Sequence, residues 1–296
     1  MRFGFFLSIL LGCLWAAVGV TVALARNKNC PIWHFYTVGA AGGAFLCWLF
    51  WCFTPSGASA IPQLLVFMGC AAFFNALGQA LTMYNLKASG RSLAFTLPQI
   101  NFVFPFLYAA LFMNGVINFL NVSGFVLITV AILCSCKSAK KDSLESQSLL
   151  SLRELFLGGS AAVIIGIGQI FLLYAATIKN DAPPILKAAL ILTVSAIVYG
   201  IGACIDHKHS LALKLHAMHY GFFWSVAAML SYYVLLRALS VMGPFNRSGI
   251  VFALAGSITI VIFWLFSFLK MHDKISRRQM IVLSLILGGI VAIRLG

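Results

Sequence analysis

The chain has 296 residues, 62% of them hydrophobic and only 9% charged, with a mean hydropathy of +1.01 and a net charge of +14. Such hydropathy excludes an ordinary soluble globular domain. The Lys and Arg residues sit in short loops between apolar stretches rather than on one face of a soluble module, which excludes a nucleic-acid partner.

In lipid only helices and closed barrels satisfy their own backbone polar groups, and these apolar runs lack the alternation of barrel strands. A spanning helix takes roughly 20 apolar residues. Stretches of that length begin near Phe3, Trp33, Ile61, Ser92, Val116, Glu154, Pro184, His216, Asn246 and Gln279. The expected fold class is all-α, a polytopic membrane protein of about ten transmembrane helices.

The first stretch follows Arg2 and ends in Ala23-Leu24-Ala25, a cleavage-like pattern. Its apolar run exceeds the roughly 7 to 15 residues of a signal core, and Arg26 with Lys28 outweighs Arg2, so a retained helix is expected. The second carries Gly39, Gly42 and Gly43, small residues that suit helix contact in lipid, as do Gly166, Gly168, Gly200, Gly202, Gly288 and Gly289 further on. Trp33, Trp48, Trp51 and Trp264 read as interfacial anchors. On the third stretch Asn75, Gln79 and Thr82 are spaced i, i+4, i+7 and share one helical face. The fourth holds Pro98, Gln99, Asn101 and Pro105, and a mid-helix proline frees a carbonyl that a ligand, water or neighbouring helix must satisfy. Cys134-Ser135-Cys136 closes the fifth with nothing nearby to complete a metal site.

A polar segment, Ser138 to Arg153, lies near the midpoint and divides the chain into a first five-helix repeat (1–137), a loop (138–153) and a second five-helix repeat (154–296). An odd number of helices per half makes the second enter the membrane inverted, an arrangement common in secondary transporters. Leu86-x-x-x-Gly90 after Gly69 corresponds to Leu239-x-x-x-Gly243 after Gly221. Of the 20 Lys and Arg residues, fourteen fall on one set of alternate loops. By the positive-inside rule both termini then lie on the non-cytoplasmic side.

Polar groups inside a membrane are functional candidates by default, although many only bridge helices. The candidate substrate-binding residues are Trp15, Asn75, Gln79, Gln99, Asn101, Gln169, Trp224 and Tyr232, with Tyr174, Ser225 and Ser231 on the same stretches. Amides both donate and accept, and ring faces cover the apolar side of a sugar, so this set suits a neutral polyhydroxylated ligand. The six acids, Asp142, Glu145, Glu154, Asp181, Asp206 and Asp273, all fall in loops or at span ends, which disfavours carriage of cationic drugs. Lys187 and Arg237 are candidate anion-binding residues, with snorkelling as the alternative. His34 and His219 are candidate proton relays, whereas His207, His209, His216 and His219 read as polar loop rather than a metal cluster. No phosphate loop, catalytic triad or HExxH motif occurs in a suitable context, so no enzyme, cofactor or metal is expected.

Gly221-Phe222-Phe223-Trp224, then Gly243, Gly249, Ser257-Ile258-Thr259, Trp264, Lys270 and Leu287-Gly288-Gly289-Ile290, with Gly12, Arg26-x-Lys28 and Trp33-x-x-Tyr36 near the N-terminus, resemble the drug/metabolite transporter superfamily, and most of all its rhamnose/sugar-uptake branch. The resemblance implies ATP-independent transport of a small-molecule substrate bound between two halves near the bilayer midplane, in a bacterial inner membrane, with a homodimer left open. That branch places an acid after the tryptophan of the second helix. Here His34 follows Trp33, so coupling through such an acid is not expected. Export of an amino acid, nucleotide-sugar or other anionic metabolite, or a non-transporting membrane scaffold, are the alternatives.

Overall fold

The computed structural model describes residues 1–53, 62–89, 97–115, 118–136, 152–177, 182–206, 209–271 and 277–295. These residues are helical, with no strand among them. In chain order the helices are α1 (Arg2–Asn27), α2 (Ile32–Cys52), α3 (Pro62–Ser89), α4 (Val103–Phe112), α5 (Phe119–Cys136), α6 (Leu152–Thr177), α7 (Pro184–Ile205), α8 (Leu211–Met242), α9 (Ser248–Met271) and α10 (Arg277–Leu295). Seven of them, α1, α2, α3, α6, α7, α8 and α9, are long and apolar enough to cross a membrane, while the described apolar parts of α4, α5 and α10 are shorter.

The helix ends follow local chemistry. Pro184 opens α7, where the missing N–H costs nothing because a first-turn donor has no intrahelical partner. Ser210 caps α8, its hydroxyl accepting from the Leu213 N–H. Asn29 and Asn246 take left-handed conformations (φ 53° each) where the chain reverses after α1 and before α9, a region Asn tolerates better than most residues. The seventh, eighth and ninth helices thus begin at Pro184, Leu211 and Ser248, within a few residues of the sequence-based starts.

The fourth helix departs from expectation. Leu97–Phe102 forms a 3-10 turn that leads into α4, which has only ten residues. Pro98 lies in that turn and Pro105 in the first turn of α4, so neither proline kinks a long helix. Instead the Asn101 side-chain amide donates to the Pro98 carbonyl at 2.7 Å, turning the chain so that Gln99 and Asn101 reach the bundle interior. The stretch near Ser92 that was expected to begin this helix, Cys134 and Cys136 as side chains, and most of the 138–153 segment lie outside the described residues, although Leu152 and Arg153 belong to α6.

Large apolar side chains such as Phe45, Phe50, Phe156, Phe222, Ile201 and Leu111 face outward, while Asn75, Asn101, Asn121, Gln169, Ser195, Ser225 and Thr259 are buried. An apolar exterior around a polar interior is what a bilayer requires and water does not. The molecule is a polytopic helical membrane protein.

The main packing partners are α1 with α8 and α9, α2 with α7 and α8, α3 with α6 and α7, α4 with α6 and α9, and α5 with α10. Small residues set the tightest approaches. A Cβ on Gly221 of α8 would lie 2.9 Å from the Phe35 carbonyl of α2, and one on Gly168 of α6 would meet Asn75 of α3. Two tryptophans expected as interfacial anchors take part in contacts between helices. The Trp48 indole N–H donates to Thr193 of α7 at 3.0 Å, and Trp33 packs against Gly202 and the ring of Tyr199.

Asn121, fully buried on α5, donates to the Ile293 carbonyl of α10 at 2.9 Å. Asn121→Leu is expected to loosen this pair by about 0.6 kcal/mol, the mean for interhelical hydrogen bonds in membranes. Thermal unfolding in detergent would check it, an unchanged midpoint contradicting the role.

Candidate functional site: a polar cavity in the middle of the bundle

A cavity of about 70 Å³ lies between the central portions of α1, α3, α6, α7 and α8 and the 3-10 turn. All eight candidate substrate-binding residues, Trp15, Asn75, Gln79, Gln99, Asn101, Gln169, Trp224 and Tyr232, line it. Three further polar groups, Ser195, Tyr199 and Ser231, complete the polar lining, with Val18, Ile165, Leu172, Ala228 and Leu235 as apolar wall. Thr82, on the same helical stripe as Asn75 and Gln79, does not join them: its hydroxyl donates back to the Gly78 carbonyl at 2.9 Å.

The lining has two parts. On one side are amides. Asn75 donates to the Ala71 carbonyl at 2.8 Å and Asn101 to Pro98, which leaves their side-chain oxygens toward other partners. Gln169 is buried and its Oε1 makes no hydrogen bond. On the other side are rings. Tyr36 and Tyr199 stack at a centroid distance of 4.9 Å, Trp224 stands edge-on to Tyr36 at 5.5 Å, and the Tyr36 hydroxyl donates to the Gln79 carbonyl at 3.1 Å. With Trp33 against Tyr84 and Tyr199, these rings close the end of the cavity nearest the α1–α2 connection. Trp224 Nε1 is buried and likewise has no acceptor.

Among the described residues, neither an acid nor a base lines the cavity. A buried acceptor and a buried donor, each unmatched by protein, together with amides and stacked rings, can pair with hydroxyl or amide groups and cover an apolar face. Small-molecule pockets usually enclose about 300–1,000 Å³, well above the space found here.

A second cavity, of about 480 Å³, opens at the C-terminal end of α8. Ala176 and Leu239, which line it, are one helical turn beyond Leu172 and Leu235 of the central cavity, so the two spaces are stacked along α6 and α8. Ser240, Asn246 and Ser248 give this vestibule a polar rim.

The other candidates are not gathered here. Lys187 is buried on α7 but does not line the cavity, and Arg237 is exposed on α8. His219 is exposed on α8, its ring beside those of Tyr220 and Phe223 of its own helix. The His34 ring instead lies beside that of His209, which contacts Asp206 at the helix ends, and His207 lies outside the described residues. No group of three metal-ligating side chains occurs among the described residues. Sequence reasoning missed Ser195 and Tyr199, whose i, i+4 spacing on α7 was a weak signal. The apolar wall had none.

No known protein family and no curated protein matches this chain. Among solved structures, 17 chains match. One, described only as "Crystal structure of protein", is 15% identical, covers 99% of this chain and 98% of its own, and has a TM-score of 0.68. At that identity the likeness establishes a shared fold over essentially the full length and nothing about activity.

Proposed function

We propose that the protein is a secondary transporter of the drug/metabolite transporter type, which moves a small neutral metabolite, a sugar, across the membrane by alternating access. The observation that carries this reading is the central cavity: eight polar and aromatic residues scattered over five segments converge there, and Gln169 Oε1 and Trp224 Nε1 are left unmatched.

The packing supports two inverted five-helix halves. Exchanging each helix for the one five places along turns α1–α8 into α6–α3, α1–α9 into α6–α4 and α2–α8 into α7–α3, and leaves α2–α7, α4–α9 and α5–α10 unchanged, so the main packing partners map onto one another. The register that pairs Leu86 with Leu239 also pairs Asn75 with Ala228 and Gln79 with Tyr232, all of which line the cavity. A vestibule at one end and a ring-sealed end opposite suit a carrier that opens to one side at a time. In this reading the vestibule faces away from the cytoplasm, with both termini, in a bacterial inner membrane.

The test is uptake of labelled rhamnose, other hexoses, amino acids and nucleotide-sugars into proteoliposomes, with and without a pH gradient. Saturable sugar flux, lost in Gln79→Ala, is the expected result. One observation favours a second reading, transport of an anionic metabolite: Lys187 is 8% exposed with no acid in ion-pair contact among the described residues. Anion flux abolished by Lys187→Gln, with no flux of any sugar, would replace the leading proposal. Silence across the panel would favour a membrane scaffold.

A further inference from the structure

We propose that His34, His209 and Asp206 form a proton-binding site that holds the ring-sealed end of the bundle shut while His34 is neutral and releases it when His34 takes up a proton. The inference rests on the transport reading and names its coupling ion.

His34 lies in the first turn of α2, and its ring stands edge-on to that of His209 with centroids 5.9 Å apart. His209 Nε2 is 3.0 Å from Asp206 Oδ1. Asp206 is the C-cap of α7 and His209 immediately precedes the N-cap of α8. The three side chains therefore tie the start of α2 to the connection between α7 and α8. Those same helices carry the rings that seal the cavity: Tyr36 is two residues beyond His34, and its partners Tyr199 and Trp224 stand on α7 and α8. Whatever separates α2 from the α7–α8 connection also parts Tyr36 from its neighbours.

His34 Nδ1 is buried and makes no hydrogen bond, so it is an unmatched proton acceptor. Among the described residues, the charged and titratable groups that face it are His209 and Asp206 from the α7–α8 connection and Lys214 from α8, and the first turn of α2 adds no acid. Asp206 is engaged with His209 at 3.0 Å, and Lys214 has no acid in ion-pair contact among the described residues. A proton on His34 then sets a second positive charge beside it in a half-buried position, where repulsion is poorly screened. Moving α2 away relieves it. Histidine is the side chain whose charge changes between about pH 5 and 8, so acid opens this end and alkali closes it.

The experiment uses the full chain in lipid nanodiscs, with spin labels on Lys28→Cys and Leu211→Cys, both exposed at this end, in a background freed of its other cysteines. Electron–electron distances are measured at about pH 8 and about pH 5. Acid should add a population longer by on the order of one helical turn, ~5 Å. His34→Gln should hold the short distance at both pH values, His34→Lys should give the long one even at the alkaline value, and His219→Gln should behave as its parent. Identical distances at both pH values, or an acid shift that survives His34→Gln, would overturn the proposal. The readout needs no substrate: a pH shift without sugar flux defeats the transport reading alone, and sugar flux without a shift defeats the proton site alone.

Discussion

Gln169→Leu is expected to lower flux by about 10- to 100-fold while raising thermal stability. The two effects have one cause. Oε1 is buried and unpaired, and leaving such an acceptor without a partner costs a folded protein about 1–3 kcal/mol. Leucine occupies nearly the same volume and removes that cost. The same oxygen, when a ligand hydroxyl donates to it, contributes a comparable amount to binding, and about 1.4 kcal/mol corresponds to tenfold. A residue that only supported the fold would show the opposite pairing, with reduced stability and flux reduced in proportion. Transport assays beside thermal unfolding of the same preparation separate these outcomes, and unaltered flux would remove Gln169 from the site.

Gly39→Ala is expected to damage both the packing of the bundle and its cavity. A Cβ at Gly39 would fall on Cε3 of Trp224, with two further ring carbons at 3.1 and 3.2 Å. Trp224 cannot retreat freely, because it is packed edge-on against Phe35 and Tyr36 and lines the cavity. Either α2 and α8 separate or the indole turns, and overpacking of this kind costs about 1–3 kcal/mol. Loss of stability should therefore come with loss of flux. Gly69→Ala is the matching control, since a Cβ there meets nothing within 4 Å, and alanine favours a helix over glycine by about 1 kcal/mol. Equal unfolding temperatures for the two variants would refute the argument.

Both predictions depend on features of different legibility. Asn75, Gln79, Gln169 and Trp224 stood out because a polar or amphipathic group in a long apolar run is costly, and such residues are retained only where something satisfies them. Tyr36, Tyr199 and Ser195 did not, because aromatic and hydroxyl side chains at helical spacing are equally at home in plain helix packing. Trp33 and Trp48 show the converse: the same indole that suits a headgroup boundary was placed by Gly202 and Thr193 in a contact between helices. His34 looked like a membrane-edge residue of no special company, and its partners arise from residues about 170 positions away along the chain.

The sequence by itself determined that the chain is an all-helical membrane protein, roughly where its helices begin, and several of the polar residues buried among them. The physical reason is local: a run of apolar residues must satisfy its own backbone in lipid, and each polar intruder carries its own cost wherever the helix packs. Only the tertiary structure decided that the fourth segment enters as a 3-10 turn and a short helix, that the amides converge on one cavity, and that His34 faces His209 rather than His219. Those outcomes depend on which helix faces overlap, and that is set by close approaches at glycines and by partners far apart in the chain, which no local period encodes.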